Sequence, residues 1–207
     1  MMYRAVLTVM LLTGFAFQSS HAVNPTAGEI VKNTSTQVME RLRLEQEELK
    51  SNPDRIYSFV NQLVIPHFDF YNMSRWVLGN SWRRASEQQQ QVFIEQFRTL
   101  LVRTYAKALL EYSAEEIQYY PEQVNPKSNI VVVKTEFKDT SGANLVPIHY
   151  RMHMIDGAWK VVDVSVDGIS LVSTYRGSFA SEIRKNGLDS LIAKLEDRNE
   201  KQDNTLD

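Results

Sequence analysis

No cysteine occurs anywhere in the 207 residues. That excludes disulfides, thiolate catalysis, thiolate metal sites and a lipid anchor carried on a terminal cysteine. A basic surplus is missing too. The chain has 23 Lys and Arg against 25 Asp and Glu, a net charge of −2, whereas a nucleic-acid binder would carry an excess of cations. There is no G-x-S-x-G nucleophile elbow, no phosphate-cradling glycine loop and no H-E-x-x-H metal motif. No nucleophile stands beside an evident base. Beyond the first residues no apolar run reaches the ~20 residues of a membrane span, so the remainder is expected to be soluble.

What is present begins with an export signal. Arg4 and the amino terminus give a basic start, Ala5 to Phe17 is apolar or small apart from Thr8 and Thr13, and Ser20-His21-Ala22 offers small residues where a signal peptidase cuts. Residues 1–22 are therefore read as a cleaved signal peptide. Its apolar core is too short to span a membrane. The mature chain would hold about 185 residues, enough for one domain with a sizeable core, and its net charge would be about −3. With 43% hydrophobic residues and nine each of Tyr and Phe, that core must hold the fold together without covalent help.

Four helices are expected first. Asn24-Pro25 reads as cap and first helical position of a helix running to about Lys50, with Ile30, Val31, Val38, Met39, Leu42 and Leu49 among polar residues. Its charge-dense end reads as a solvated face. Ser51-Asn52-Pro53 repeats the signal for a second helix through Ile65, whose stripe is Ile56, Phe59, Val60, Leu63 and Val64. Pro66 stops it. A short third helix, Asp69 to Leu78, is rich in large apolar groups, and Gly79 is its cap. Ser86 and Gln89 resemble a capping box for a fourth helix to about Tyr112.

The period then changes to alternation. Glu116 to Tyr120 is a short strand, and Ile130 to Lys138 a stronger one with Val131, Val133, Thr135 and Phe137 on one face. A hairpin loop over residues 140–144 leads to Leu145–Ile155. There Val146, Ile148, Tyr150, Met152 and Met154 face one way and Pro147, His149, Arg151 and His153 the other. Asp156-Gly157 is a strong hairpin signal before the strand Trp159 to Val166. Gly168 makes a corner, after which Ile169 to Phe179 places Leu171, Val172, Tyr175 and Phe179 at helical spacing. Helix continues to Lys185 and again from Leu188 to about Arg198. Residues 23–198 read as one domain and 199–207 as a polar, disordered tail. Helices followed by an antiparallel meander with an apolar concave side give the α+β class.

Candidate chemistry is sparse. His149 and His153 lie about 13 Å apart if they sit on a strand, too far to share a metal, and no metal site is expected. Asp163 interrupts an otherwise apolar strand. Facing a cavity it could serve as a proton-transfer base; paired with an arginine or capping a backbone N–H it would be structural. The cost of burying an unpaired carboxylate, and the lack of a second catalytic group nearby, favour the structural role. Arg75, Arg83, Arg84, Arg176, Arg184 and Lys185 could draw an anionic group, or be scattered surface charge. The Met152 and Met154 strand face is adaptable filler suited to a cavity with variable contents, or to an ordinary core.

The stretch from Ile65 to Leu109, together with Trp159 to Phe179, resembles the MlaC/toluene-tolerance family of periplasmic phospholipid carriers. The residues that carry the likeness include Pro66, Asp69, Leu78-Gly79, Trp82, Gln89, Phe93, Phe97, Tyr105, Trp159, Asp163-Val164, Gly168, Ser170-Leu171, Tyr175-Arg176 and Phe179. The resemblance implies an NTF2-like fold: a curved antiparallel sheet wrapped by helices around an apolar cavity that holds acyl chains, with the headgroup outside. It implies phospholipid as cargo rather than a cofactor, and no catalytic residues. It also implies a periplasmic location, with docking, without membrane insertion, to an outer-membrane lipoprotein–porin complex and to the MCE subunit of an inner-membrane ABC transporter.

The lining residues are taken from the stripes and the alternation. They are Val60 and Leu63 on the second helix, Phe70 on the third, and Leu101, Tyr105 and Leu109 on the fourth. The strands add Val133, Ile148, Tyr150, Met152 and Met154, and the stretch after Gly168 adds Ile169, Leu171, Val172, Tyr175 and Phe179. Two other readings stay open beside the carrier: an exported NTF2-like enzyme using Asp163 or a cavity tyrosine, and a ligand-free periplasmic binding module.

Overall fold

The computed structural model describes residues 24–52, 54–107, 109, 116–124, 129–138 and 145–204. The expected signal peptide and the 140–144 hairpin loop lie outside the described residues. The first helix, α1 (Ala27–Leu44), is capped by Thr26 in a capping box with Glu29 rather than by Asn24. It gives way at Glu45 to a separate short helix, α2 (Gln46–Ser51). Next come α3 (Arg55–Leu63), a single 3-10 turn over Ile65–His67, and α4 (Phe70–Leu78), whose cap Asp69 accepts from the Asn72 N–H at 3.0 Å. A further 3-10 segment spans Gly79–Arg84. The capping box read from Ser86 and Gln89 starts α5 (Glu87–Tyr105).

Gly79 ends α4 at φ 54°, ψ −121°, a region open to glycine alone. The Arg176 guanidinium stands 3.4 Å from where a Cβ on Gly79 would be. A cation therefore sits over the negative end of α4, as the helix dipole favours.

The sheet is antiparallel throughout. Its strands are β1 (Glu116–Tyr119), β2 (Gln123–Val124), β3 (Ile130–Lys138), β4 (Leu145–Ile155), β5 (Ala158–Val166) and β6 (Ile169–Ser170). They lie in the order β1-β3-β4-β5-β6, with β2 also paired to β3. Asp156 and Gly157 both take positive φ, 49° and 78°, as a two-residue hairpin turn requires. Asp167 and Gly168 do the same at 51° and 77°. The corner at Gly168 is therefore a second tight hairpin into β6, and the helix begins only at Leu171. The two last helices are α6 (Leu171–Asn186) and α7 (Leu188–Asn204).

The tail beginning at residue 199 was expected to be disordered. Instead α7 runs on to Asn204. Buried Asn199 locks it to α5 by donating to the Gln96 backbone oxygen at 3.0 Å and to its Oε1 at 2.8 Å. A polar composition concealed an element held by specific amide contacts.

Helices α6 and α4 pack together, α7 lies along α5, and α1 and α4 reach the sheet. The result is α+β, a helical layer on an antiparallel sheet. Phe68, in the connector before α4, forms an isolated parallel bridge with Val161, and the Asp69 N–H donates to the Val161 carbonyl at 2.9 Å. That short seam joins the two layers.

Candidate functional site

The concave face of the sheet is built from cross-strand rows. Val131 faces Met152, which faces Val161; Val133 faces Tyr150, which faces Val164; Thr135 faces Ile148, which faces Val166. Ala27, Ile30 and Val31 of α1, with Phe68, Tyr119 and Leu171, cover these rows and complete one cluster. Alternation along β3 and β4 was readable from the sequence, and Val133 and Met152 are indeed buried in this cluster, at 1% and 0% exposure. Met154, half-buried, lies opposite Trp159 near the end of the hairpin.

The polar exception in these rows is Thr135, whose Oγ1 donates to the Ile148 carbonyl at 2.9 Å while its side chain also hydrogen-bonds Tyr150. Burial pushes the Tyr150 phenol above its ordinary value of 10.0; Thr135 opposes the rise and Tyr119 adds to it. The sign follows directly. The unfolded chain ionises first, so Tyr150 contributes stability that is complete below pH 10 and is lost as pH climbs toward the folded pKa. The loss should reach about 1.4 kcal/mol per pH unit for this one group. Urea titrations from pH 9 to 11.5 should therefore show a shallower decline for Tyr150→Phe than for the wild type. Parallel declines would mean that the phenol ionises freely in the fold.

A second cluster belongs to the helices. Phe97 lies 5.7 Å from Phe93, 5.4 Å from Tyr175 and 6.1 Å from Phe179, and Phe179 meets Phe93 edge-on at 5.9 Å. Offset and edge-on contacts of this kind add to simple area burial. Phe70, Leu101 and Val172 are part of the same cluster. Val60 belongs to a third one with Val38, Leu42, Ile56 and Phe59, and Leu63 and Leu109 pack against it. Ile65 touches the second and third clusters, and Phe68 the first and second.

The expected lining set is thus divided among three closely packed clusters that meet along Ile65–Phe68. Three members stand apart: Met154, near the end of the hairpin, Ile169 and Tyr105. Ile169 is 64% exposed, because the Asp167-Gly168 turn makes it a sheet-edge residue opposite Val166 instead of a helical one. Tyr105 is 40% exposed at the end of α5. Ala27, Val31, Phe68 and Thr135 were absent from the expected set. The i, i+3, i+4 run of Ala27, Ile30 and Val31 was the available signal, but only the fold shows which surface it covers.

Among the described residues, two of the depressions open on the outside. One of about 350 Å³ lies between α3 and α5 and is lined by Tyr57, Asn61, Glu95, Arg98, Thr99, Val102 and Arg103. The other, about 190 Å³, lies on the outer sheet face beside Asp163, Arg151, His149 and Ser170. Both fall short of the ~1,000 Å³ that a two-chain lipid needs. Among the described residues no group of three or more His, Cys, Asp or Glu is placed to hold a metal. No described helix is long and apolar enough to cross a membrane.

Asp163 is 3% exposed, and both of its oxygens are engaged. Oδ2 accepts from Ser170 Oγ at 2.7 Å, and Oδ1 from the Val172 N–H at 3.1 Å. Arg151, its cross-strand neighbour, approaches only to 4.0 Å and is half exposed. The carboxylate ties the start of α6 to β5. An arginine partner, one of the roles considered for it, is the minor part of its environment.

Comparison with known proteins follows the same lines. The family model described as MlaC protein matches residues 32–197. The chain is 30% identical over 182 residues to the toluene tolerance protein ttg2D of Pseudomonas putida, covering 87% of this chain and 83% of that one. It is 21% identical over 192 residues to the intermembrane phospholipid transport system binding protein MlaC of Haemophilus influenzae, covering 92% and 90%. A solved phospholipid-binding protein of Ralstonia solanacearum, in complex with a phospholipid, superposes with a TM-score of 0.78 at 28% identity, over 86% of this chain and 99% of that one.

Proposed function

The chain belongs to the MlaC family, and from that premise we propose that it is a periplasmic phospholipid carrier. It encloses the acyl chains of one lipid and shuttles it between an outer-membrane lipoprotein–porin complex and the MCE subunit of an inner-membrane ABC transporter. The observation that carries this reading is the likeness, across nearly the whole of both chains, to a structure with phospholipid bound.

Physical chemistry supports the need for a carrier. Two acyl chains contain about 30 methylenes, each worth about 0.8 kcal/mol on leaving water, or about 24 kcal/mol gross. An unshielded lipid would cross an aqueous gap very slowly. A carrier exchanges one apolar environment for another, so net transfer lies near balance and partners can set its course. The role is non-enzymatic. Asp163, the suggestive acid, is committed to Ser170 and Val172.

Organic extraction of the protein as purified should release about one phospholipid per chain by mass spectrometry. A protein recovered empty that also takes no lipid from vesicles would remove this reading.

A further inference from the structure

The carrier reading leaves one group of cations without a role. From Phe70 through Ser86 the chain holds Arg75, Arg83 and Arg84 and no Asp or Glu. The fold adds a fourth cation. Arg176 of α6 reaches the end of α4, its guanidinium 3.4 Å from where a Cβ on Gly79 would be. The Gly79 N–H donates to the Arg75 carbonyl, so Arg75 lies one turn before that same helix end. Arg83 donates to Asn80 Oδ1 at 2.7 Å and Arg84 to Ser81 Oγ at 3.4 Å. Both bonds stay within the 3-10 segment Gly79–Arg84, which is about 12 Å long. All four arginines are exposed, and among the described residues no ion pair involves them.

An aromatic ring stands among them. Tyr71 is 52% exposed and precedes Arg75 by one turn on the same face of α4. Its ring meets that of Trp82 edge-on at 5.3 Å, which sets it beside the 3-10 segment. Trp82 is buried in the helical cluster, and Gln90 of α5 donates to its carbonyl at 3.0 Å and to that of Ala85 at 3.3 Å. The segment that displays Arg83 and Arg84 is therefore pinned in place. The first acid beyond it, Glu87, lies in the first turn of α5, where the helix dipole favours a negative charge.

We propose that Tyr71, Arg75, Arg83, Arg84 and Arg176 form the face by which the protein docks on the surface of an anionic phospholipid bilayer, without inserting a segment. Guanidinium groups pair with phosphate oxygens through charge-assisted hydrogen bonds. A tyrosine ring rests at headgroup depth with its hydroxyl in water. The chain as a whole has a net charge of −2, so the attraction is local to this patch. An acidic protein is the other occupant that such charge would fit. One sign of charge and a single exposed ring suit a fluid surface that offers phosphate everywhere better than a partner held in one register by packed anchors and paired charges. The inference rests on the carrier reading only for the need to approach a bilayer.

Purified protein is mixed with sucrose-loaded vesicles of dioleoylphosphatidylcholine, alone or with an equal part of dioleoylphosphatidylglycerol, and the vesicles are sedimented. Protein that merely takes up lipid stays in the supernatant, so the pellet reads docking and not uptake, and either reading can fail alone. The wild type should sediment with the anionic vesicles at low salt, far less with the neutral ones, and be released as salt is raised. Arg83→Gln/Arg84→Gln should weaken that binding by about thirtyfold, and Tyr71→Ala by about tenfold, with the fold checked by thermal melt. Arg43→Gln/Lys107→Gln removes the same charge near the far end of α5, where Leu42 packs with Ala106, and should bind within about threefold of the wild type. Equal losses in the two double variants would make the effect one of net charge and overturn the patch. So would full binding by Arg83→Gln/Arg84→Gln. A wild type that stays out of the anionic pellet at low salt overturns the bilayer as occupant and leaves an acidic protein in its place.

Discussion

Replacing Asp163 with alanine should lower the free energy of unfolding by about 3 kcal/mol, through a lost helix cap and a buried donor left unmet. The Val172 N–H, now bonded to Oδ1 at 3.1 Å, would be stranded in a buried position. Ser170 would lose its acceptor at 2.7 Å. Its hydroxyl also accepts from the Ser173 N–H at 3.0 Å, so the loosened side chain disturbs the first turn of α6 a second time. Arg151 adds little, because a half-exposed cation at 4.0 Å is screened by solvent. Asparagine keeps the shape and one acceptor, and should cost roughly half as much. Urea unfolding measures both. The enzyme reading predicts the reverse pattern: an unchanged midpoint with loss of a turnover. Midpoints within error of the wild type for both variants would show that the tie contributes nothing.

The same residue shows where the sequence was legible and where it was not. Strand boundaries in β3 and β4, the Asp156-Gly157 turn, the Ser86 capping box and the Gly79 cap were all readable, because each rests on a local rule of period or dihedral. In β5 the local rule misleads. Strict alternation from Trp159 through Val161 would carry Asp163 to the concave face. The pairing slips between Arg151 and Met152, so that Val161 opposes Met152 and Asp163 opposes Arg151, with Val162 as the extra residue. One extra residue exchanges the faces of all that follow. It sends Asp163 outward to meet α6 and brings Val164 and Val166 onto the concave side. A bulge has no signature in β-branched residues, so only the partner strand reveals it. Ile169 was misplaced for a related reason. Asp167 at positive φ is an uncommon state that composition does not announce, and with Gly168 it turns the chain back into β6 before the helix starts. Apolar stripes were legible from their period. Their division among three clusters was not, because it depends on how the helices are set against one another.

That division gives the second large effect. Leu171→Trp should reduce lipid uptake by about tenfold or more while leaving a folded protein. Leu171 packs on the sheet cluster and Val172 lies in the helical cluster, so the first turn of α6 straddles the two. If acyl chains enter by parting these clusters, they must take up space at this junction. An indole there occupies that space in advance. Overpacking costs about 1–3 kcal/mol of stability, which a domain of this size can bear, so a thermal melt separates blocked uptake from unfolding. Leu171→Met conserves volume and should take up lipid like the wild type. Uptake is read by transfer of a fluorescent phospholipid from vesicles. If the tryptophan variant is folded and loads normally, the chains lie elsewhere, and the depression between α3 and α5 becomes the place to seek their entry. If it is folded, fails to load and yet still binds its partners, docking and cargo are separable. A ligand-free binding module has no cargo step to lose, so that result would count for the carrier and against the module.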